Sequence, residues 1–140
     1  MQKKSSSTVG IRLLKLNYSE VMRELRKYAE RAVVKGARAV ILVGSLARGD
    51  YTAYSDADII IVSDSVPERL IDRIPEFMDP ALPVDVVPIV YTTDEVVKMA
   101  EEGRKVIGEI ISYGKLLAGD ERLVEMLRSK FKDVPQLSQQ

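Results

Sequence analysis

Two aspartates, Asp56 and Asp58, stand two positions apart at the start of an apolar run, Ile59 to Val62. Because side chains alternate between the two faces of a strand, residues two positions apart point to the same side. The two carboxylates are therefore predicted to lie side by side. Such oxygen ligands suit Mg²⁺ or Mn²⁺, which retain water and are shared with substrate phosphates. The pair predicts a site for a metal ion and a nucleotide.

A Gly-Ser pair, Gly44 and Ser45, directly follows an earlier apolar run, Ala37 to Val43. A residue without a side chain at Gly44 lets backbone amides approach a phosphate, and the Ser45 hydroxyl adds a donor. Arg48 carries a planar guanidinium that matches phosphate oxygens. This turn is predicted to bind the triphosphate of a nucleotide.

A two-metal site normally uses a third carboxylate, which holds the metal on the side of the nucleophile and can accept its proton. Asp85 is the best-placed candidate, since it is the one acidic residue in the apolar stretch from Val84 to Val90. A charge buried there would be costly unless it were paired or bound a metal.

Each of these residues also has an ordinary structural interpretation. Gly-Ser turns are common, Asp-x-Asp often caps or forms a turn, and Asp85 suits the end of a strand. Arg48 is equally suited to a weak surface ion pair with Asp50. Tyr51 and Tyr54, in the linking loop, either stack on a base or pack the loop. The joint occurrence of the residues favours the nucleotide site.

The composition limits which chemistry is available. The 140 residues suffice for one domain, and 21 basic residues balance 21 acidic ones, so direct binding of nucleic acid is not indicated. The chain has no cysteine and no histidine, which excludes disulfides, thiolate zinc sites and imidazole bases. No apolar segment is long enough to span a membrane, and we expect a cytoplasmic protein.

The apolar periodicity predicts an α/β (α+β) domain with a small mixed sheet flanked by helices. The short connection between the first two strands favours a mixed or antiparallel pair. The whole chain, 1–140, is predicted to be a single domain with flexible ends at 1–10 and 133–140. Strands are predicted at Ala37–Val43, Ile59–Val62, Val84–Val90 and Lys115–Ala118.

The helix predictions depend on spacing, caps and breakers. A first helix starts at Asn17 or Ser19 and ends at Gly36, with Val33 among its periodic apolar residues. Three further helices are predicted: Pro67–Ile74, one continuous helix from Thr93 or Asp94 through Ile111 that Gly114 closes, and Glu121–Phe131.

The combined motif resembles that of a known family. Gly44-Ser45-x-Ala47-Arg48-Gly49, then Ser55-Asp56-x-Asp58 and later Asp85, closely resembles the nucleotidyltransferase superfamily with the polymerase β type of palm. Within it, the chain looks like the small stand-alone minimal nucleotidyltransferases, with a likeness from about residue 20 to 120.

The resemblance implies transfer of a nucleoside monophosphate, with AMP from ATP as the expected case, to a hydroxyl. Two Mg²⁺ ions are implied as cofactors, with Mn²⁺ as an alternative. Carried over by position, the nucleotide-binding residues are Gly44, Ser45, Arg48 and Ser55. The catalytic and metal-binding residues are Asp56, Asp58 and Asp85.

Members of this group often pair with helical HEPN-family proteins in toxin and antitoxin systems, and some antitoxins adenylylate a tyrosine of the partner. The resemblance therefore implies a HEPN-type protein partner as acceptor, or a homo-oligomer. Two other readings stay open: a nucleotide-binding module that inhibits its partner with little catalysis, and an enzyme for a small acceptor such as an aminoglycoside.

Overall fold

A computed structural model describes residues 17–132. The predicted flexible ends, 1–10 and 133–140, lie outside the described residues. Six α-helices, a short 3-10 helix (Pro75–Phe77) and four strands make up this part of the chain. The helices are α1 Tyr18–Val34, α2 Gly44–Arg48, α3 Leu70–Arg73, α4 Thr93–Glu101, α5 Lys105–Tyr113 and α6 Glu121–Lys130. The strands are β1 Ala37–Val43, β2 Ala57–Ser63, β3 Val86–Tyr91 and β4 Lys115–Gly119.

The four strands form one sheet in the order β3-β2-β1-β4. β1 is antiparallel to both β2 and β4, whereas β2 and β3 are parallel. This confirms the predicted mixed sheet and the antiparallel pairing of the first two strands. Pro88 lies in β3, an edge strand of this sheet, where the donor that proline lacks costs least.

Helix α1 covers one face of the sheet. The side chain of Asn17 caps it by accepting a hydrogen bond from the amide of Glu20 at 3.1 Å. Its apolar stripe packs against the odd-numbered residues of β2, among them Ile59 and Ile61. Val33, which the periodicity placed in that stripe, is instead 36% exposed at the last turn.

Helices α4, α5 and α6 cover the opposite face, where Ile41, Ile60 and Val62 are buried. The predicted continuous helix from residue 93 to 111 is wrong, because α4 ends at Glu101 and α5 begins at Lys105. Gly103, between them, has a φ of +69°. A left-handed residue cannot continue a right-handed helix, so the chain turns there.

The segment between β2 and β3 also differs from its prediction. The helix predicted from Pro67 to Ile74 is only the four-residue α3, which begins at Leu70. The buried side chain of Arg73 donates hydrogen bonds to the carbonyls of Pro67 and Glu68, at 2.6 and 2.8 Å. These carbonyls therefore accept hydrogen bonds from a side chain instead of from the backbone amides of a first helical turn.

Candidate active site

The turn between β1 and α2 is built around Gly44. Its φ is +75°, a conformation that glycine adopts readily and other residues rarely. A Cβ added at Gly44 would overlap Oδ2 of Asp58. Since Val43 pairs with Asp58 across the antiparallel strands, the register of β1 and β2 brings the turn against the acid pair. Two parts of the motif are thus in direct contact.

Asp56 precedes β2 and Asp58 is its second residue. Strand alternation places both on the sheet face that α4 to α6 cover. Asp58 is half-buried and Asp56 is exposed. Burial raises the pKa of the Asp58 carboxyl above its usual range; the negative charges of Asp56 and Glu109 add to this rise, while Arg48 opposes it. Asp58 thus lies in a local surplus of negative charge, which a cation would relieve.

Asp85 lies outside the strand in which it was predicted. β3 begins at Val86, and Asp85 is exposed, so the argument from the cost of burying its charge is wrong. Its carbonyl accepts a hydrogen bond from the amide of Ala57 at 2.8 Å. Because Ala57 pairs with Val86 in parallel register, Asp85 stands opposite Asp56 and on the same face.

The acid pair has the ligand chemistry that a divalent cation requires. Asp56 and Asp58 offer oxygen ligands from one face, and the open turn at Gly44 leaves room for the Asp58 carboxylate. Between residues 17 and 132, no group of three or more acidic side chains is arranged to hold a metal ion. The pair therefore fits an ion that takes its other ligands from water and substrate phosphates, as Mg²⁺ does.

Ser45 and Ser55 connect the turn to the loop before β2. The Ser45 hydroxyl donates to Oγ of Ser55 at 3.0 Å, and the amide of Thr52 donates to the same oxygen at 2.8 Å. The two serines predicted to bind nucleotide therefore lie together. Their bonding holds the loop against the turn beside the acid pair.

Arg48 is held at the surface by two neighbours. Its Nε lies 3.2 Å from both carboxylate oxygens of Asp50, which is the ordinary ion pair that the sequence left open. Its Nη1 donates to the hydroxyl of Tyr113 at 3.3 Å, and its guanidinium carbon lies 5.4 Å from the centre of that ring. This contact orients the guanidinium next to the turn. Phosphate binding by Arg48 stays a prediction.

The two loop tyrosines have different environments. Tyr51 stacks on Tyr18 with ring centres 5.3 Å apart, so it packs the loop against α1. Tyr54 is 74% exposed and is the one of the two that is open to a base.

Sequence reasoning missed the contribution of α5. Glu109 lines a cavity together with Asp58, and Tyr113 of the same helix holds Arg48. Four positions separate these residues, which places them on one face of the helix. A signal was available, because Glu109 is the one acidic residue of the apolar α5 segment.

The comparison with protein families finds one match, described as the nucleotidyltransferase domain, over residues 22–107. This range is more than half of the chain and includes the turn, the acid pair and Asp85. The chain belongs to this family. The match confirms the resemblance, and with it the prediction that the protein is a nucleotidyltransferase. No curated protein matches the chain.

Several solved structures similar to this nucleotidyltransferase are toxin–antitoxin complexes. One is a complex with AMP-PNP, at 22% identity and a TM-score of 0.51, covering 82% of this chain and 83% of that one. Another is a mutant MntA–HpeT complex, at 19% identity and a TM-score of 0.53, covering 78% of this chain and 82% of that one. A third is a tri-AMPylated Shewanella oneidensis HEPN toxin in complex with MNT antitoxin, at 18% identity and a TM-score of 0.49, covering 81% of this chain and 82% of that one. The first two confirm the fold.

No helix within residues 17–132 is long and apolar enough to cross a membrane. A cytoplasmic location stays a prediction.

Proposed function

We propose that this nucleotidyltransferase uses a divalent metal ion to transfer AMP from ATP to a hydroxyl of a partner protein. The observation that carries the proposal is the contact between the turn and the acid pair. Gly44 must lack a side chain for the Asp58 carboxylate to occupy its place. This contact supports assigning the turn and the acids to one site, in which the turn would bind the triphosphate and the acids the metal ion.

The turn residues are proposed to bind the triphosphate. Gly44 and Ser45 would contribute backbone amides, and the Ser55 hydroxyl, which accepts from Ser45, would contribute a further donor. Arg48 would exchange part of its bonding with Asp50 for phosphate oxygens. That exchange is inexpensive because both partners are exposed.

The carboxylates are proposed to hold Mg²⁺ or Mn²⁺. Asp56 and Asp58 would be the primary ligands, and Asp85, opposite Asp56, the third. A bound metal ion would neutralise negative charge on the phosphates and lower the pKa of the attacking hydroxyl. The surplus of negative charge around Asp58 supports this assignment.

The nucleotide and the partner are proposed from the structural neighbours and the family resemblance. The neighbour with a TM-score of 0.51 is a toxin–antitoxin complex with AMP-PNP, an adenine nucleotide. We propose that ATP is likewise the nucleotide here and that a helical HEPN-type toxin is the acceptor, with this chain as its antitoxin. A homo-oligomer is the alternative assembly.

The test is transfer of label from ATP, labelled at the α-phosphate, to the product of the neighbouring gene in the presence of Mg²⁺. The Asp56→Asn, Asp58→Asn double variant should lose the label transfer. Asp72→Asn is the matched control, since it removes one exposed carboxylate from α3. Equal labelling by the double variant and the control would refute the mechanism.

The same variant separates transfer from inhibition by binding alone. A toxin that the double variant still neutralises, without labelling, would identify the chain as an inhibitory nucleotide-binding module. Labelling of an aminoglycoside but not of the protein would identify a small-molecule enzyme.

A further inference from the structure

A cavity of about 190 Å³ lies beside Asp58, between the edge strand β3 and helix α5. Its walls are largely apolar, formed by Ile60, Val87, Ile89 and Val106. Val87 and Ile89 remain 42% and 39% exposed, because α4 to α6 leave this part of β3 uncovered. The cavity therefore extends the proposed site away from the Gly44 turn along an apolar surface.

Glu109 provides a second carboxylate to this cavity. Its side chain is half-buried, and between residues 17 and 132 it has neither an ion-pair partner nor a hydrogen-bond donor. Arg48 bonds Asp50 and Tyr113 and not Glu109. A carboxylate against apolar walls is costly without a donor, and a ligand in the cavity could supply one.

The charge of Glu109 indicates which part of the substrate it faces. A triphosphate would be repelled by an uncompensated carboxylate, and its proposed binding groups lie at the Gly44 turn. The groups of the reaction that can donate a hydrogen bond are the hydroxyl of the acceptor and the ribose hydroxyls and adenine amino group of the nucleotide. Of these, the acceptor hydroxyl is the one that must reach the reacting phosphate beside the proposed metal-binding acids, and Glu109 lines the same cavity as Asp58.

We infer that Glu109 binds the acceptor hydroxyl by accepting its hydrogen bond, and that the β3–α5 cavity holds the acceptor group that carries this hydroxyl. The inference rests on the proposed transfer reaction and deepens it. Glu109 orients the hydroxyl beside Asp58, while the apolar walls pack against the group that carries it.

The test compares Glu109→Ala and Glu109→Gln with Glu101→Gln, an exposed control at the end of α4. Transfer of label from ATP to the product of the neighbouring gene is measured while the concentration of ATP and then that of the acceptor protein is varied. Glu109→Ala should lower kcat/KM for the acceptor about 10- to 100-fold, since hydrogen bonds to charged groups are the stronger ones. The kcat/KM of Glu109→Gln for the acceptor should lie between those of the wild type and Glu109→Ala, because the amide oxygen accepts a hydrogen bond but carries no charge.

A second readout separates this role from a structural one. Binding of AMP-PNP with Mg²⁺, measured by calorimetry, and the KM for ATP should stay within about twofold of wild type in both Glu109 variants. The midpoint of urea unfolding should not fall, because removing an unpartnered carboxylate costs the folded state nothing.

The outcomes are distinct. Acceptor kinetics of Glu109→Ala equal to those of Glu101→Gln would overturn the inference while leaving the proposed function intact. A parallel loss of AMP-PNP binding would also overturn it, by placing Glu109 on the nucleotide side. If Glu109→Ala does not fold, Glu109→Gln decides by the same criteria. Absence of transfer by the wild type would refute the proposed function and this inference together.

Discussion

Replacing Gly44 with alanine should damage both the stability and the activity of this protein. The substitution places an L residue at a φ of +75°, which costs about 1–3 kcal/mol. The new Cβ would also overlap Oδ2 of Asp58, and forcing atoms into a filled site costs about 1–3 kcal/mol more. We therefore expect Gly44→Ala to lower the free energy of unfolding by about 2–6 kcal/mol.

Gly36 and Gly49 provide matched controls. Both have positive φ, +115° and +98°, but a Cβ added at either meets nothing within 4 Å. Their alanine variants should therefore show the backbone cost alone, about 1–3 kcal/mol by urea unfolding. Only Gly44→Ala should also displace the Asp58 carboxylate, with a loss of AMP transfer on the order of 100-fold. A Gly44→Ala variant with the stability of Gly36→Ala and full transfer would refute this reasoning.

Three further predictions concern the scaffold around the site. Tyr28→Phe removes the 2.6 Å hydrogen bond from the buried hydroxyl to the carbonyl of Phe77, and should cost about 1–2 kcal/mol of unfolding free energy without changing transfer. Arg73→Met should cost about 1–3 kcal/mol in urea unfolding, since it removes the hydrogen bonds that Arg73 donates to Glu95 and to three carbonyls; an unchanged stability would contradict the assigned network. The hydrogen bond from Arg73 lowers the pKa of Glu95, so its stabilisation is present above the ordinary glutamate pKa and is lost as pH falls through the lowered value. Unfolding of Glu95→Gln should therefore depend less on pH in that acidic range than unfolding of the wild type, and equal slopes would exclude the effect.

Several elements could be predicted because their cause is local. The apolar run Ala37–Val43 was predicted with the bounds that β1 has, since a strand buried on both faces needs continuous apolar residues. Asn17 or Ser19 was predicted as the cap of the first helix from its place before a helical period, and Asn17 caps α1. Asp56 and Asp58 were placed on one face from strand alternation alone, a period that no tertiary contact changes.

Other predictions failed because distant segments decide them. The short helix α3 reflects the capture of the Pro67 and Glu68 carbonyls by Arg73, whose guanidinium also bonds Glu95 of α4. The break between α4 and α5 depends on Gly103 adopting a positive φ, which helical spacing does not predict. Both results depend on contacts between segments or on backbone choices that periodicity does not encode.

The sequence by itself determined the chemistry of this protein. Its motif contains the turn glycine, the paired acids and Asp85, and the absence of histidine and cysteine leaves carboxylates, hydroxyls and cations as the groups available for catalysis. Only the tertiary structure decided how these groups meet. Strand register brings Gly44 against Asp58 and sets Asp85 opposite Asp56, while helix packing adds Glu109 to the same cavity. Register and packing arise from pairing segments far apart in the chain, so local spacing cannot specify them.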